Sequence, residues 1–356
     1  MTNFVDRLSP STESEVAEGA SAQRHHRFRT WAVRLGKGMI TVIVIVAVTF
    51  AARESVSKWQ QQSTATRITL ADVRWGWLIF SAVTYAISLI PAGLVLRRAL
   101  AALHQPIALP LVMAAQLVGH LGKYVPGKAM VIILRASILN HGPTRVSIKL
   151  SAIAVIIETL NLIAVGAVLA LVLVMVLETP PWIKWGSALM AIGAVIGTLP
   201  PVLRFALSRR LRIRTRRGPI NESSATKPMI WTTHDLIATW FWCAISWVFT
   251  GISMTAVVLA LVPSAADLSL ISLTLICSAA AMLAFIAGFL SLLPGGVGVR
   301  ETVLATLLGP IVGPGPAVLS AVVARLVQLA VESLLAAGIW TIMSRRRIGP
   351  TDQLVS

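Results

Sequence analysis

The chain has 356 residues, 56% of them hydrophobic and only 13% charged, and a mean hydropathy of +0.79. A soluble globular domain carries about 25% charged residues, so this composition excludes an ordinary soluble protein and indicates a polytopic one embedded in lipid. The formal net charge of +17 raises nucleic acid as a partner, but the basic residues come in short clusters between apolar runs with no stacking platform beside them, which reads as membrane topology.

Residues 1–36 are polar, mixed in charge and rich in Ser, Glu and His, the composition of a disordered tail. Residues 38–52 are a short apolar run behind Arg34 and Lys37. They are read as an uncleaved first span, with a cleaved leader as the alternative because "TFAARES" offers small residues. A second span is expected over 75–96, ending at Arg97 and Arg98. Full spans follow at 150–177, 183–203, 236–262 and 317–343, joined by a basic loop at 204–233 and closed by a short tail at 345–356. The predicted fold is therefore an all-α polytopic membrane protein whose transmembrane domain covers 37–344.

Two apolar regions differ from the others. Residues 109–139 and 268–308 are each broken in the middle, at Pro126-Gly127 and at Pro294-Gly295-Gly296. The second arm of the first region is shorter than the ~20 residues that a span needs. Each region is expected to be a re-entrant helical hairpin turning at membrane depth, giving about six full spans plus two hairpins. With the N-terminus inside, the basic clusters at 141–149, 204–227 and 345–347 all fall on the cytoplasmic side. The two hairpins then enter from opposite faces, as in an inverted repeat whose broken helices meet around a substrate site. Trp75, Trp77, Trp182, Trp185 and Trp231 gather near predicted span ends, the aromatic belt of the two interfaces. Cys243 and Cys277 lie in apolar stretches without metal-ligating neighbours, and no metal or cofactor is expected. His120, within an apolar run, is read as a packing residue. The chain is expected in the cell (plasma) membrane, and the positive-inside pattern puts both termini in the cytoplasm. The same arginines are also suited to anionic lipid headgroups.

The octet "GKYVPGKA", Gly122 to Ala129, fits the glycine-rich phosphate-binding pattern except for its closing hydroxyl. A phosphate-binding loop follows a strand and ends in a Ser or Thr that ligates magnesium. Here Ala129 takes that place and the flanks are apolar helix, so ATP is not the expected ligand. Freed backbone N–H groups at the break, a helix starting after Gly127, and Lys123 and Lys128 nearby still make an anion site. In the second break, "LPGGVGVRE", Arg300 and Glu301 stand where charge is costly and function is the default reading. The alternative is that Arg300 and Glu301 form a structural pair and the glycines allow tight packing.

Together "GKYVPGKAM" and "LLPGGVGVRE" resemble the flippase-like transmembrane domain of lysylphosphatidylglycerol synthases and its stand-alone relatives, over residues 75–343. The resemblance implies a membrane protein that handles lipids. It nominates Lys123, Tyr124, Pro126, Gly127 and Lys128 from the first motif as headgroup-binding residues. From the second it nominates Pro294, Gly295, Gly296, Gly298, Arg300 and Glu301, with Arg325 in the last span. In the span after the first hairpin the family often has Glu-Arg followed by Asp. Here "IIETLNL" keeps Glu158 but has Thr159 and Asn161, which leaves Glu158 without the complementary charge the pattern would supply. No counterpart of the soluble aminoacyl-transfer domain is recognised, so the chain is not expected to make lysyl-lipid.

The leading expectation is a lipid translocase or scramblase, not an enzyme and not driven by ATP. Its partners would be membrane lipids with anionic or phosphate-bearing headgroups, and not nucleic acid. The helix dipoles, Lys123, Lys128 and Arg300 would meet phosphate. Glu158, Glu301 and Glu332 would answer a positive headgroup or carry protons. The alternative is a membrane-embedded component of a lipid-glycosyl or aminoacyl transferase system, which would make a lipid-modifying enzyme a further partner. An ion channel or scaffold has no sequence feature in its favour.

Overall fold

Serine and threonine on one helix face, with isoleucine and phenylalanine on the other, set the orientation of the first described helix. A computed structural model describes residue 61 and residues 70–125, 129–140, 146–176, 181–206, 229–290, 296 and 298–348, all within one compact unit, residues 50–356. The first span expected at 38–52, both tails, most of the basic loop and the hairpin tips carrying Pro126, Gly127, Lys128, Pro294 and Gly295 lie outside the described residues.

The elements are α1 (Trp75–Ala102), α2 (Leu109–His120), a 3-10 turn (Leu121–Tyr124), α3 (Ala129–Leu139), α4 (Ile148–Val176), α5 (Pro181–Thr198), α6 (Thr233–Leu261), a second 3-10 turn (Pro263–Asp267), α7 (Leu270–Leu290), α8 (Val299–Val312) and α9 (Pro314–Ile348). No strand occurs among the described residues. Helices α1, α4, α6 and α7, and residues 314–343 of α9, are long and apolar enough to cross a membrane. The span expected at 183–203 is not straight: residues 184–198 and the short helix Pro200–Ala206 meet at 68°. Pro200 and Pro201 explain the bend, since neither can donate a backbone N–H and Leu199, ahead of a proline, is pushed out of the α region. Counted as one span, the bent pair makes six.

On α1, Ile79, Val83, Ile87 and Ile90 are exposed while Ser81, Thr84, Tyr85 and Ser88 are buried. The helix thus turns its apolar face outward, as lipid-facing helices do, and its polar face into the bundle. That polar face meets α6. Ser81 and Ser253 hydroxyls lie 2.9 Å apart, Ser253 Oγ also donates to the Ser81 carbonyl at 3.0 Å, and Ser246 Oγ donates to the Ser88 carbonyl at 2.8 Å. Arg74 N–H donates to the Ala260 carbonyl at one end, and Arg98 pairs with Asp235 at 3.3 Å at the other. Each step forward along α1 is matched by a step back along α6, so the two helices run antiparallel over nearly their whole length. Asp235 has a second task, closing a reciprocal capping box with Thr232 that starts α6.

The order of elements repeats. A long helix (α1), a broken hairpin (α2–α3) and a long helix (α4) are followed, after α5, by a long helix (α6), a hairpin (α7–α8) and a long helix (α9). The two hairpins are unequal. Helices α2 and α3 have 12 and 11 residues, about 18 Å or less at 1.5 Å per residue, short of the ~30 Å hydrocarbon core. Helix α7 has 21 residues and α8 has 14, so only the second arm of that hairpin is short.

Candidate functional site

Glycines in both hairpins let an arginine lie flat against backbone. A Cβ on Gly119 would stand 2.5 Å from Arg135 Cγ and 2.7 Å from its Nε. A Cβ on Gly288 would stand 2.6 and 2.7 Å from the same atoms of Arg300. In each hairpin, then, the arginine of the second arm crosses a glycine of the first. Gly296 (φ +69°) completes the seat of Arg300: its added Cβ would lie 2.8 Å from Gly288 Cα, and the left-handed backbone there favours glycine. Gly122 serves the first hairpin differently, since a Cβ there would meet the backbone of Val131 at 2.6 Å. The arms of that hairpin touch main chain to main chain.

Both arginines face one cavity of about 230 Å³ lined by residues of α1–α4 and α6–α9. Lys123, Glu158, Glu301 and Arg325 also line it. Buried charges stand only when paired or solvated, and the pairing here is specific. Glu158, 5% exposed, receives Arg135 through both Nη1 and Nη2, and Gln116 Nε2 donates to its Oε1 at 2.7 Å. Glu301 takes Arg325 Nη1 at 2.6 Å and the Gly298 N–H at 2.7 Å. Glu332, 1% exposed, is bonded by Lys123 Nζ and the Tyr85 hydroxyl, with His120 Nδ1 3.6 Å away. Arg300 is different. Its guanidinium carbon lies 4.7 Å from the Phe285 ring centroid, a cation–π contact, and among the described residues no carboxylate pairs with it.

Several expectations are corrected by these contacts. Arg300 and Glu301 are not a pair: successive residues on a helix point about 100° apart, and Glu301 turns to Arg325 and to its own helix N-terminus. Glu158 does not lack a complementary charge, because Arg135 reaches it from the hairpin rather than from its own span. Arg135, not singled out from the sequence, is 4% exposed and lines the cavity. Its signal was present in the sequence as a lone arginine inside the apolar run "MVIILRASIL". His120 is not only a packing residue, since it lines the cavity beside Glu332.

Of the residues nominated from sequence, Lys123, Glu158, Arg300, Glu301 and Arg325 come together at the cavity. Tyr124 is buried beneath Lys123, whose Nζ is 5.1 Å from its ring centroid. Gly296 and Gly298 shape the second break, Gly298 at φ +83° and capped by Glu301. Pro126, Gly127, Lys128, Pro294 and Gly295 lie outside the described residues. Gln116, Tyr85 and Phe285 were not anticipated; as single polar or aromatic residues in apolar runs they carry no pattern of their own. The octet follows helix α2 and enters a 3-10 turn, not the strand-to-helix turn of a nucleotide loop. Among the described residues no group of three His, Cys, Asp or Glu is arranged to hold a metal.

An apolar exterior, spanning helices and a charged cavity between two broken hairpins define a multi-pass α-helical membrane protein with an internal polar site. The family model described as "Lysylphosphatidylglycerol synthase TM region" matches residues 38–336. The chain belongs to that family. No curated protein matches it.

Proposed function

We propose that the chain is a lipid translocase or scramblase that moves a lipid with a polar, phosphate-bearing headgroup across the bilayer without ATP. Membership of a family of lipid-related membrane domains gives the class. The observation that carries the reading further is Arg300: a cation without a carboxylate partner among the described residues, seated at the wall of a 230 Å³ cavity between two broken hairpins. The headgroup occupies that cavity while the acyl chains remain in lipid. In this reading the chain lies in the plasma membrane with its basic loop and both termini in the cytoplasm, as the positive-inside bias indicates. The antiparallel pairing of α1 and α6, the first helices of the two helix–hairpin–helix units, supports oppositely oriented repeats, the architecture of alternating access.

The test is reconstitution. Purified protein in vesicles should expose fluorescent phosphatidylglycerol from the inner leaflet to an external quencher, with no nucleotide or aminoacyl donor present. Movement no faster than in protein-free vesicles would contradict the proposal.

A further inference from the structure

The two halves place their charges differently at equivalent points. In the first, the arginine that crosses the glycine, Arg135, finds its partner 23 residues on, at Glu158 of the next helix. In the second, Arg300 crosses its glycine in the same way, but the corresponding stretch of the next helix presents Arg325. Glu301 then satisfies Arg325 from a separation of 24 residues. A carboxylate–guanidinium pair in one half is thus replaced in the other by two guanidiniums, of which only Arg325 has a carboxylate partner among the described residues.

The charges around the cavity follow from this. Lys123, Arg135, Arg300 and Arg325 line it. Among the described residues the carboxylates that meet them are Glu158, Glu301 and Glu332, each already bonded to a different cation. Among the described residues one positive charge is left over, and it is on Arg300. Three buried guanidinium N–H groups, Arg135 Nε, Arg300 Nε and Arg325 Nη2, have no hydrogen-bond partner among the described residues, and two of them belong to the second half. Glu332 Oε2 also lacks one, but its charge is met by Lys123.

We infer that Arg300 and Arg325 form an oxyanion subsite for a phosphodiester carrying a single negative charge, and that the cavity rejects headgroups bearing an added amine. This deepens the translocase reading and rests on it. Guanidinium N–H groups match the geometry of phosphate oxygens and bond them more strongly than neutral groups. An aminoacylated headgroup brings a cation to a wall that already has one in excess and no unengaged carboxylate, so it meets repulsion rather than a partner.

Two measurements on the full chain test this, one of binding and one of transport. The first is binding of water-soluble dihexanoyl phosphatidylglycerol to the purified protein, against its lysyl ester and against inorganic phosphate. Phosphatidylglycerol should bind at least about tenfold tighter than either, and Arg300→Gln should remove about tenfold while Arg300→Lys removes less, the scale of one charge-assisted hydrogen-bonding group. A thermal melt close to wild type confirms that the variants are folded; if Arg300→Gln does not fold, Arg300→Lys against wild type carries the comparison. Equal binding of the lysyl ester overturns the inference, and equal binding of inorganic phosphate assigns the subsite to free anions and overturns it too. The second is vesicle transport of the two labelled lipids. Movement of both at the same rate overturns the selectivity while leaving the translocase reading intact. Movement of neither, with selective binding retained, contradicts the translocase reading and leaves the subsite standing.

Discussion

Glu301 bonds Arg325, 24 residues away and on another helix, at 2.6 Å, and not Arg300, its neighbour in the chain. This choice couples the short arm of the second hairpin to the last long helix and releases Arg300 toward the cavity. Both side chains are nearly buried, at 11% and 12% exposure. Their separation is therefore costly in a way that a surface pair's is not.

Glu301→Gln should destabilise the protein by about 3–5 kcal/mol, because Arg325 is left as an uncompensated buried charge. Combining it with Arg325→Met should recover most of the loss, whereas combining it with Arg300→Met should not. Thermal melts of the three variants in detergent check this, and rescue by the Arg300 change alone would show that the pairing is wrong.

Glycine substitutions should separate shape from charge. Gly122→Ala forces a methyl group against Val131 backbone at 2.6 Å, which the hairpin can relieve only by parting its arms. Gly288→Ala meets the flexible stem of Arg300 instead. The first should lower stability by about 1–3 kcal/mol, the usual cost of overpacking. The second should cost less stability than the first while slowing lipid movement, because it moves Arg300 off its seat. Stability measured by denaturant titration and transport measured in vesicles distinguish them.

The helices were readable from the sequence because long apolar runs have one stable solution in lipid. The break in 109–139 was signalled by Pro126-Gly127 and by a second arm too short to cross; that the first arm is also short, 12 residues in α2, was not. The bend after Thr198 was announced by Pro200-Pro201 but hidden by the continuous apolar run around it. Site residues split along similar lines. Lys123, Arg300 and Glu301 stood out as charges within apolar sequence. Arg325 and Glu332 were named as well, but the pairings were not legible, because Glu301 with Arg325, Lys123 with Glu332 and Glu158 with Arg135 are set by how helices far apart in sequence pack. Nothing local to Glu301 says whether it turns toward Arg300 or away. The Arg135–Gly119 and Arg300–Gly288 crossings are a further case: they relate the hairpins by geometry where shared residues scarcely extend beyond Pro-Gly.

Topology is open to direct labelling. Cys243 and Cys277 are buried, so introduced cysteines report with little background. Pro180→Cys should react with a membrane-impermeant maleimide in intact cells, and Arg216→Cys should react only after permeabilisation, as the basic asymmetry of the loops requires. The reverse pattern would invert the orientation of both hairpins.

Titration of ATP with magnesium should give no saturable signal at the octet 122–129, since the turn follows a helix and Ala129 lacks the metal-binding hydroxyl. A micromolar site abolished by Lys128→Ala would contradict this.

The central claim is that Arg300 serves a lipid headgroup and not the fold. The most direct measurement is the initial rate of phosphatidylglycerol movement in vesicles holding equal amounts of wild type or Arg300→Gln, with melts recorded on the same preparations. The account predicts a rate lower by about tenfold or more, the scale of a lost charge-assisted contact, at a melting temperature within a few degrees of wild type. An unchanged rate in a folded variant would contradict it.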